Sequence, residues 1–172
     1  MAQISDAHRH LDYMRVAISR ARLSPAGRTN FRVGAVLVDG ERDTILATGY
    51  TMEIPGNTHA EQCCLMNYAA ERGLAEEDVG TVLPGGTVLY TTMEPCAKRL
   101  SGNLPCVDRI LRTRREGRVA IGTVYVGVVE PDTFVGENKG RRVLEGAGVR
   151  CEYLAGLEEE ILEVATAGHE KV

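Results

Sequence analysis

The sequence predicts an α/β protein, a three-layer α/β/α sandwich around a mixed five-stranded sheet. Three observations predict it. An amphipathic segment opens the chain and is followed by two apolar runs, 31–38 and 45–50, on either side of a turn. Helical and strand patterns then alternate to the end. The connections between them are short, and strand–helix–strand units of that kind cross over right-handedly and lay their strands parallel. An antiparallel pair followed by parallel neighbours makes the sheet mixed.

Each element has a local reason. Between about residues 5 and 23, Leu11, Met14, Ala17, Ile18 and Ala21 recur at three- and four-residue steps. This is a helix with Arg15, Arg20 and Arg22 facing outward. Ser24-Pro25-Ala26-Gly27 stops it. Residues 31–38, with Val33, Val36, Leu37 and Val38, read as a strand buried on both faces. The turn Asp39-Gly40-Glu41-Arg42-Asp43 returns the chain as a second strand over 45–50. Gly56-Asn57-Thr58 opens a helix with a buried stripe of Ala60, Cys63, Cys64 and Tyr68, ended by Gly73. A polar linker, 75–86, leads to a third strand over 87–92. A helix from about 104 to 112, an apolar strand over 119–129, a short helix over 138–145, a strand over 149–153 and a helix over 157–167 complete the series.

The chain of 172 residues suits one domain, residues 1–172, with one core. The net charge of −4 argues against a dedicated nucleic-acid binder, which is usually basic. Arg109, Arg112, Arg114, Arg115 and Arg118 form a basic cluster, but Asp108 and Glu116 interrupt it and the interleaved residues are aliphatic. A solvated helix end explains it. No apolar run approaches the roughly 20 residues of a membrane span, and the first residues lack the apolar core of a signal peptide, so a cytoplasmic protein is expected. Five cysteines suggest no disulfide framework; in a reducing compartment they serve as ligands or core residues.

The chemistry lies in two short stretches. Thr58-His59-Ala60-Glu61 offers an imidazole and a carboxylate at a helix start, where the helix dipole favours anions. Cys96, after Pro95 at a strand end, and Cys106, after Pro105 at a helix start, offer two thiols. One His and two Cys ligate zinc with the fourth position left for water, the mark of a catalytic site, and such a water ionises near neutral pH. Glu61 then serves as proton shuttle. Thr58-x-x-Glu61 is also a capping box, in which Thr58 caps the helix; capping and catalysis need not compete. Cys63, Cys64 and Cys151 sit on apolar stripes and read as core. His-x-Glu followed by Pro-Cys-x-x-Cys is the signature of zinc nucleobase deaminases. Here the second cysteine departs from it: residues 97–105, Ala-Lys-Arg-Leu-Ser-Gly-Asn-Leu-Pro, separate Cys96 from Cys106.

With these motifs, and with Asn30-Phe31-Arg32-Val33-Gly34-Ala35-Val36, Met93-Glu94-Pro95-Cys96, Gly127-Val128-Val129-Glu130-Pro131-Asp132 and Gly140-Arg141-Arg142-Val143-Leu144, the chain resembles the cytidine-deaminase-like superfamily. Within it, the chain is most similar to the pyrimidine deaminases of riboflavin biosynthesis, whose second zinc cysteine also follows a long loop. The loop looks like the stand-alone fungal type. The resemblance therefore implies a deaminase without the reductase domain of the bacterial proteins, acting on a ribityl rather than a ribosyl substrate, with Zn²⁺ as cofactor and a homodimeric state. Zinc would be held by His59, Cys96 and Cys106, with Glu61 catalytic. The phosphorylated pyrimidine would meet Lys98 and Arg99 through its phosphate, and further contacts would come from Asn30, Ser101, Asn103, Glu130 and Asp132. Tyr50 and Phe134 are the aromatic candidates for the ring pocket. Two other expectations stand beside this one: a deaminase of a nucleoside or tRNA base, and an inactive zinc-bearing subunit of a catalytic partner. A tRNA enzyme would keep the short Cys-x-x-Cys, and an inactive subunit would lack Glu61.

Overall fold

The computed structural model describes residues 2–130 and 139–170. Its helices are α1 (Ala2–Ala21), α2 (Ala60–Ala70), α3 (Cys106–Arg112), α4 (Gly140–Gly146) and α5 (Glu158–Ala165). Its strands are β1 (Gly34–Asp39), β2 (Thr44–Tyr50), β3 (Thr87–Met93), β4 (Arg114–Arg115), β5 (Arg118–Val119), β6 (Ile121–Val128) and β7 (Arg150–Tyr153). Five of them form one sheet in the order β2-β1-β3-β6-β7. β1 is antiparallel to β2 and β3, whereas β3, β6 and β7 are parallel. The mixed five-stranded sheet that the sequence predicts is present.

Alternation along the strands builds two cores. Ala35, Leu37 and Leu89 face α2, α3 and α4, packing on Cys64, Ile110 and Leu144. Val36, Val38 and Tyr90 face the other way onto Met14 and Ile18 of α1 and Ile161 of α5. β1 is buried along its whole length, as its apolar run requires.

The register decides where a site can form. Gly34 pairs with Tyr50, Ala35 with Thr91, and Met93 with Val128. The start of β1 and the ends of β2, β3 and β6 therefore meet at one edge of the sheet, where the carboxyl ends of parallel strands open a crevice. α2 is brought to the same edge by close backbone contact. A Cβ at Gly49 would collide with the Ala60 carbonyl and the Cys64 amide. Gly49→Ala is expected to destabilise the protein by about 1–3 kcal/mol, as overpacking does. A lowered denaturant midpoint would show it, and an unchanged midpoint would mean that α2 can move off β2 at no cost.

Several boundaries differ from the sequence reading. Residues 31–33 stay outside β1: the Arg32 amide donates to the Ala165 carbonyl of α5 at 3.0 Å rather than to a neighbouring strand. The linker 75–86 contains a 3₁₀ helix, Glu76–Thr81, whose Val79 is buried in the core. Arg114–Arg115 and Arg118–Val119 leave the main sheet as a separate antiparallel ribbon. The basic cluster is not wholly solvated. Arg109 is buried against the Glu76 carboxylate, which Arg112 also approaches at 3.3 Å, and a cation out of water needs such a partner. Residue 138, expected to open the fourth helix, lies outside the described residues.

Candidate metal centre and active site

His59 occupies the N-cap of α2 in an extended conformation, φ −93° and ψ 161°, with no side-chain cap. The capping box is therefore absent. With His59 as the cap, Glu61 sits one position too early to reach back, and the Thr58 hydroxyl donates instead to the Ile54 carbonyl. Freed from capping, Glu61 is buried at 4% exposure on the inner side of the first turn. Its Oε1 accepts from the Thr91 hydroxyl at 3.1 Å. Its Oε2 lies 3.3 Å from Cys106 Sγ.

Cys96 follows the end of β3, and Cys106 is the first residue of α3. The two are joined at the backbone: the Val107 amide donates to the Cys96 carbonyl at 3.1 Å, and the Cys106 amide to Cys96 Sγ at 3.5 Å. His59 Nδ1 stands 3.5 Å from Cys96 Sγ and 3.4 Å from Cys106 Sγ. Zinc–nitrogen and zinc–sulfur bonds of tetrahedral geometry imply N···S edges of about 3.6 Å. The three donor atoms are thus already spaced as ligands of one ion. Among the described residues, His59, Cys96 and Cys106 are the group able to hold a metal, and the cluster fits a zinc site.

The electrostatics agree with that set. A hydrogen bond from the Cys106 thiol, then the neighbouring His59, holds the Cys96 thiol well below its ordinary value despite burial. Its partner Cys106 moves up for the same reason, aided by burial and by the Glu61 charge. Burial likewise pushes the Glu61 carboxyl up, with His59 opposing. An uncompensated cluster of two thiols and a carboxylate out of water is costly, and a divalent cation resolves that cost.

A cleft opens over these residues. Of the residues singled out from the sequence, Asn30, Lys98, Arg99, Ser101 and Glu130 line it. Asn103 does not: it is exposed, its amide donates to Ser101 Oγ at 3.3 Å, and the N-cap of α3 is Pro105, so it caps no helix. Asp132 and Phe134 lie outside the described residues. Tyr50 is not part of the lining, and the aromatic side chain there is Phe31. Arg99 is no solvated loop cation. It is 9% exposed, donating to the Asn57 carbonyl and, at 3.3 Å, to Gln62 Oε1. It therefore ties the 97–105 loop to the start of α2, while the adjacent Lys98 is exposed. Burial, then the Cys96 charge, pushes Glu130 up to about 7.

Sequence reasoning missed Thr91 and Glu94. Glu94 is buried in the cleft wall, accepting from the Tyr153 hydroxyl at 2.6 Å and the Arg141 amide at 3.2 Å. It thereby fastens the residue before Pro95-Cys96 to β7 and α4. Its place immediately before Pro-Cys was the available signal; nothing local in the sequence marks its partners.

Comparison with known proteins places these features. The chain is 33% identical over 166 residues to the diaminohydroxyphosphoribosylamino-pyrimidine deaminase of Schizosaccharomyces pombe, covering 96% of this chain and 37% of that protein. The chain thus spans little more than a third of that relative. It superposes on a crystal structure of Aspergillus oryzae Rib2 deaminase, a C-terminal deletion mutant at pH 4.6, with a TM-score of 0.87 and 54% identity over 94% of this chain and 93% of that one. A second structure of that deaminase, in complex with DARIPP, gives 0.86 and 53% over 94% and 92%. Residues 7–128 match the family described as the cytidine and deoxycytidylate deaminase zinc-binding region, and they contain His59, Cys96, Cys106 and Glu61. On this match and on the geometry that accompanies it, the chain belongs to the zinc-binding cytidine and deoxycytidylate deaminase family.

Proposed function

We propose that the chain hydrolytically deaminates 2,5-diamino-6-ribitylamino-4(3H)-pyrimidinone 5′-phosphate to 5-amino-6-ribitylaminouracil 5′-phosphate and ammonia, a step of riboflavin biosynthesis. The observation that carries it is the pairing of the Glu61–His59–Cys96–Cys106 centre with a cleft whose long loop presents Lys98 and Arg99. The A. oryzae deaminase, alike over nearly its whole length, binds DARIPP.

Zinc, when bound, supplies the Lewis acidity that brings the ionisation of a water near neutral pH. The chain's own groups do the rest. The Thr91 hydroxyl holds Glu61 Oε1, which leaves Oε2 on the side of the ligands. Glu61 takes a proton from the attacking water as its oxygen adds to C2, and delivers it to the ring nitrogen. A second transfer through Glu61 takes the remaining hydroxyl proton to the departing amine. The C–N bond breaks, ammonia leaves, a C2 carbonyl remains, and Glu61 returns to its starting state. Its elevated proton affinity suits a group that must both take and give. Lys98 and Arg99 meet the phosphate, while Ser101, Asn30 and Glu130 meet polar substrate groups.

In this reading residues 1–172 act as one deaminase domain, working as a homodimer in the cytoplasm. Five free thiols support a reducing compartment.

An ammonia-release panel tests the proposal, using the zinc-loaded protein with the ribityl phosphate, the ribosyl phosphate, cytidine and a tRNA. Turnover is expected with the ribityl phosphate, at the highest kcat/KM of the four. Turnover of cytidine or tRNA alone would overturn the substrate assignment, and no turnover of any of the four would favour an inactive partner subunit.

A further inference from the structure

Three residues of the cleft wall, Thr29, Asn30 and Phe31, belong to no helix or strand. Asn30 Nδ2 donates to the Pro25 carbonyl at 3.2 Å, and further order in this segment comes from the opposite end of the chain. The Asn30 carbonyl accepts from His169 Nε2 at 2.8 Å, a contact 139 residues apart in sequence. The Phe31 ring lies against the same imidazole, with centroids 5.1 Å apart and planes at 53°. The Arg32 amide donates to the Ala165 carbonyl. Gly168 packs on Gly27 so closely that a Cβ there would collide with its amide and carbonyl. An exposed Arg28–Glu170 pair at 3.3 Å adds little by itself. None of the residues 165–170 lines the cleft, so their effect on it passes through 29–31.

We propose that His169 is a positioning residue, a single imidazole that fixes the Asn30 carbonyl and the Phe31 ring and so sets the outer wall of the substrate cleft. Both contacts are needed from one side chain. A planar ring supplies the apolar face for Phe31, and an N–H at its far end supplies the donor for the carbonyl. Without it, an irregular segment has to be ordered when substrate arrives, and that cost is taken from binding. The metal cluster and Glu61 are untouched, so the effect belongs in KM rather than kcat.

The kinetic part of the test rests on the deaminase reading, whereas the exchange part does not. In the zinc-loaded 172-residue chain, His169→Ala is expected to speed amide exchange in a peptide covering residues 27–33, with α2 and β3 unchanged. KM for the ribityl phosphate should rise roughly fivefold, the size of one lost neutral hydrogen bond, with kcat within about twofold and zinc content unaltered. His169→Gln, which keeps an N–H donor without the ring, should recover part of the loss. Wild-type exchange in 27–33 would overturn the proposal. So would exchange that rises throughout the chain while kcat falls, because that marks a general loss of stability. If the wild-type protein turns over none of the four panel substrates, the deaminase reading fails, and exchange in 27–33 alone decides the role of His169.

Discussion

Glu61→Gln is expected to lower kcat by about 10²–10⁴-fold while zinc stays near one ion per chain and KM changes little. Glutamine has the shape of glutamate and can still accept from Thr91 Oγ1, so the first turn of α2 should not move. What it cannot do is carry a proton from water to the ring nitrogen and then to the departing amine. Glu61 is not among the three ligand donors, so metal analysis of the variant separates the two roles. A variant that keeps wild-type kcat would remove Glu61 from the mechanism. A variant that loses both zinc and turnover would recast it as a support of the metal centre.

Cys106→Ala is expected to lower zinc affinity by more than about 100-fold, beyond the loss typical of an outer-shell partner, and to reduce turnover to background. Cys106 is fully buried, so a packing effect needs a control. Cys151→Ala provides one, since Cys151 is also a buried core thiol but belongs to no ligand group. It should lose some stability and keep its zinc. Retention of stoichiometric zinc by Cys106→Ala would exclude His59, Cys96 and Cys106 as the ligand set.

The convergence of His59, Cys96 and Cys106 was legible because each sits at a boundary that the sequence announces: Gly56-Asn57-Thr58 before His59, Pro95 before Cys96, Pro105 before Cys106. The mixed character of the sheet followed from short connections and handedness, whereas the order β2-β1-β3-β6-β7 came only from the structure. What stayed hidden depends on partners far along the chain. Thr91 reads as an ordinary β-former, and its bond to Glu61 exists only once α2 is pressed on the sheet at Gly49. Arg109 reads as a surface charge because its partner, Glu76, lies in a segment whose polarity resembles a linker. Thr58 misled for a subtler reason. The capping-box spacing is correct, but the helix begins one residue later, and the cap passes to His59, the residue proposed to hold the metal.

The bonds that join Cys96 to Cys106 and Val107 have a consequence for how the protein can change over evolutionary time. The excursion 97–105 departs from and returns to one closed neck. A longer or shorter excursion on the same neck alters loop entropy only slowly, by about 0.6 kcal/mol per doubling. In the proposed deaminase, substrate preference can therefore drift through that interchangeable cassette while the reactive centre stays in place. Transplanting a related loop between Cys96 and Cys106 should retune which ring is accepted without rebuilding the chemistry beneath it.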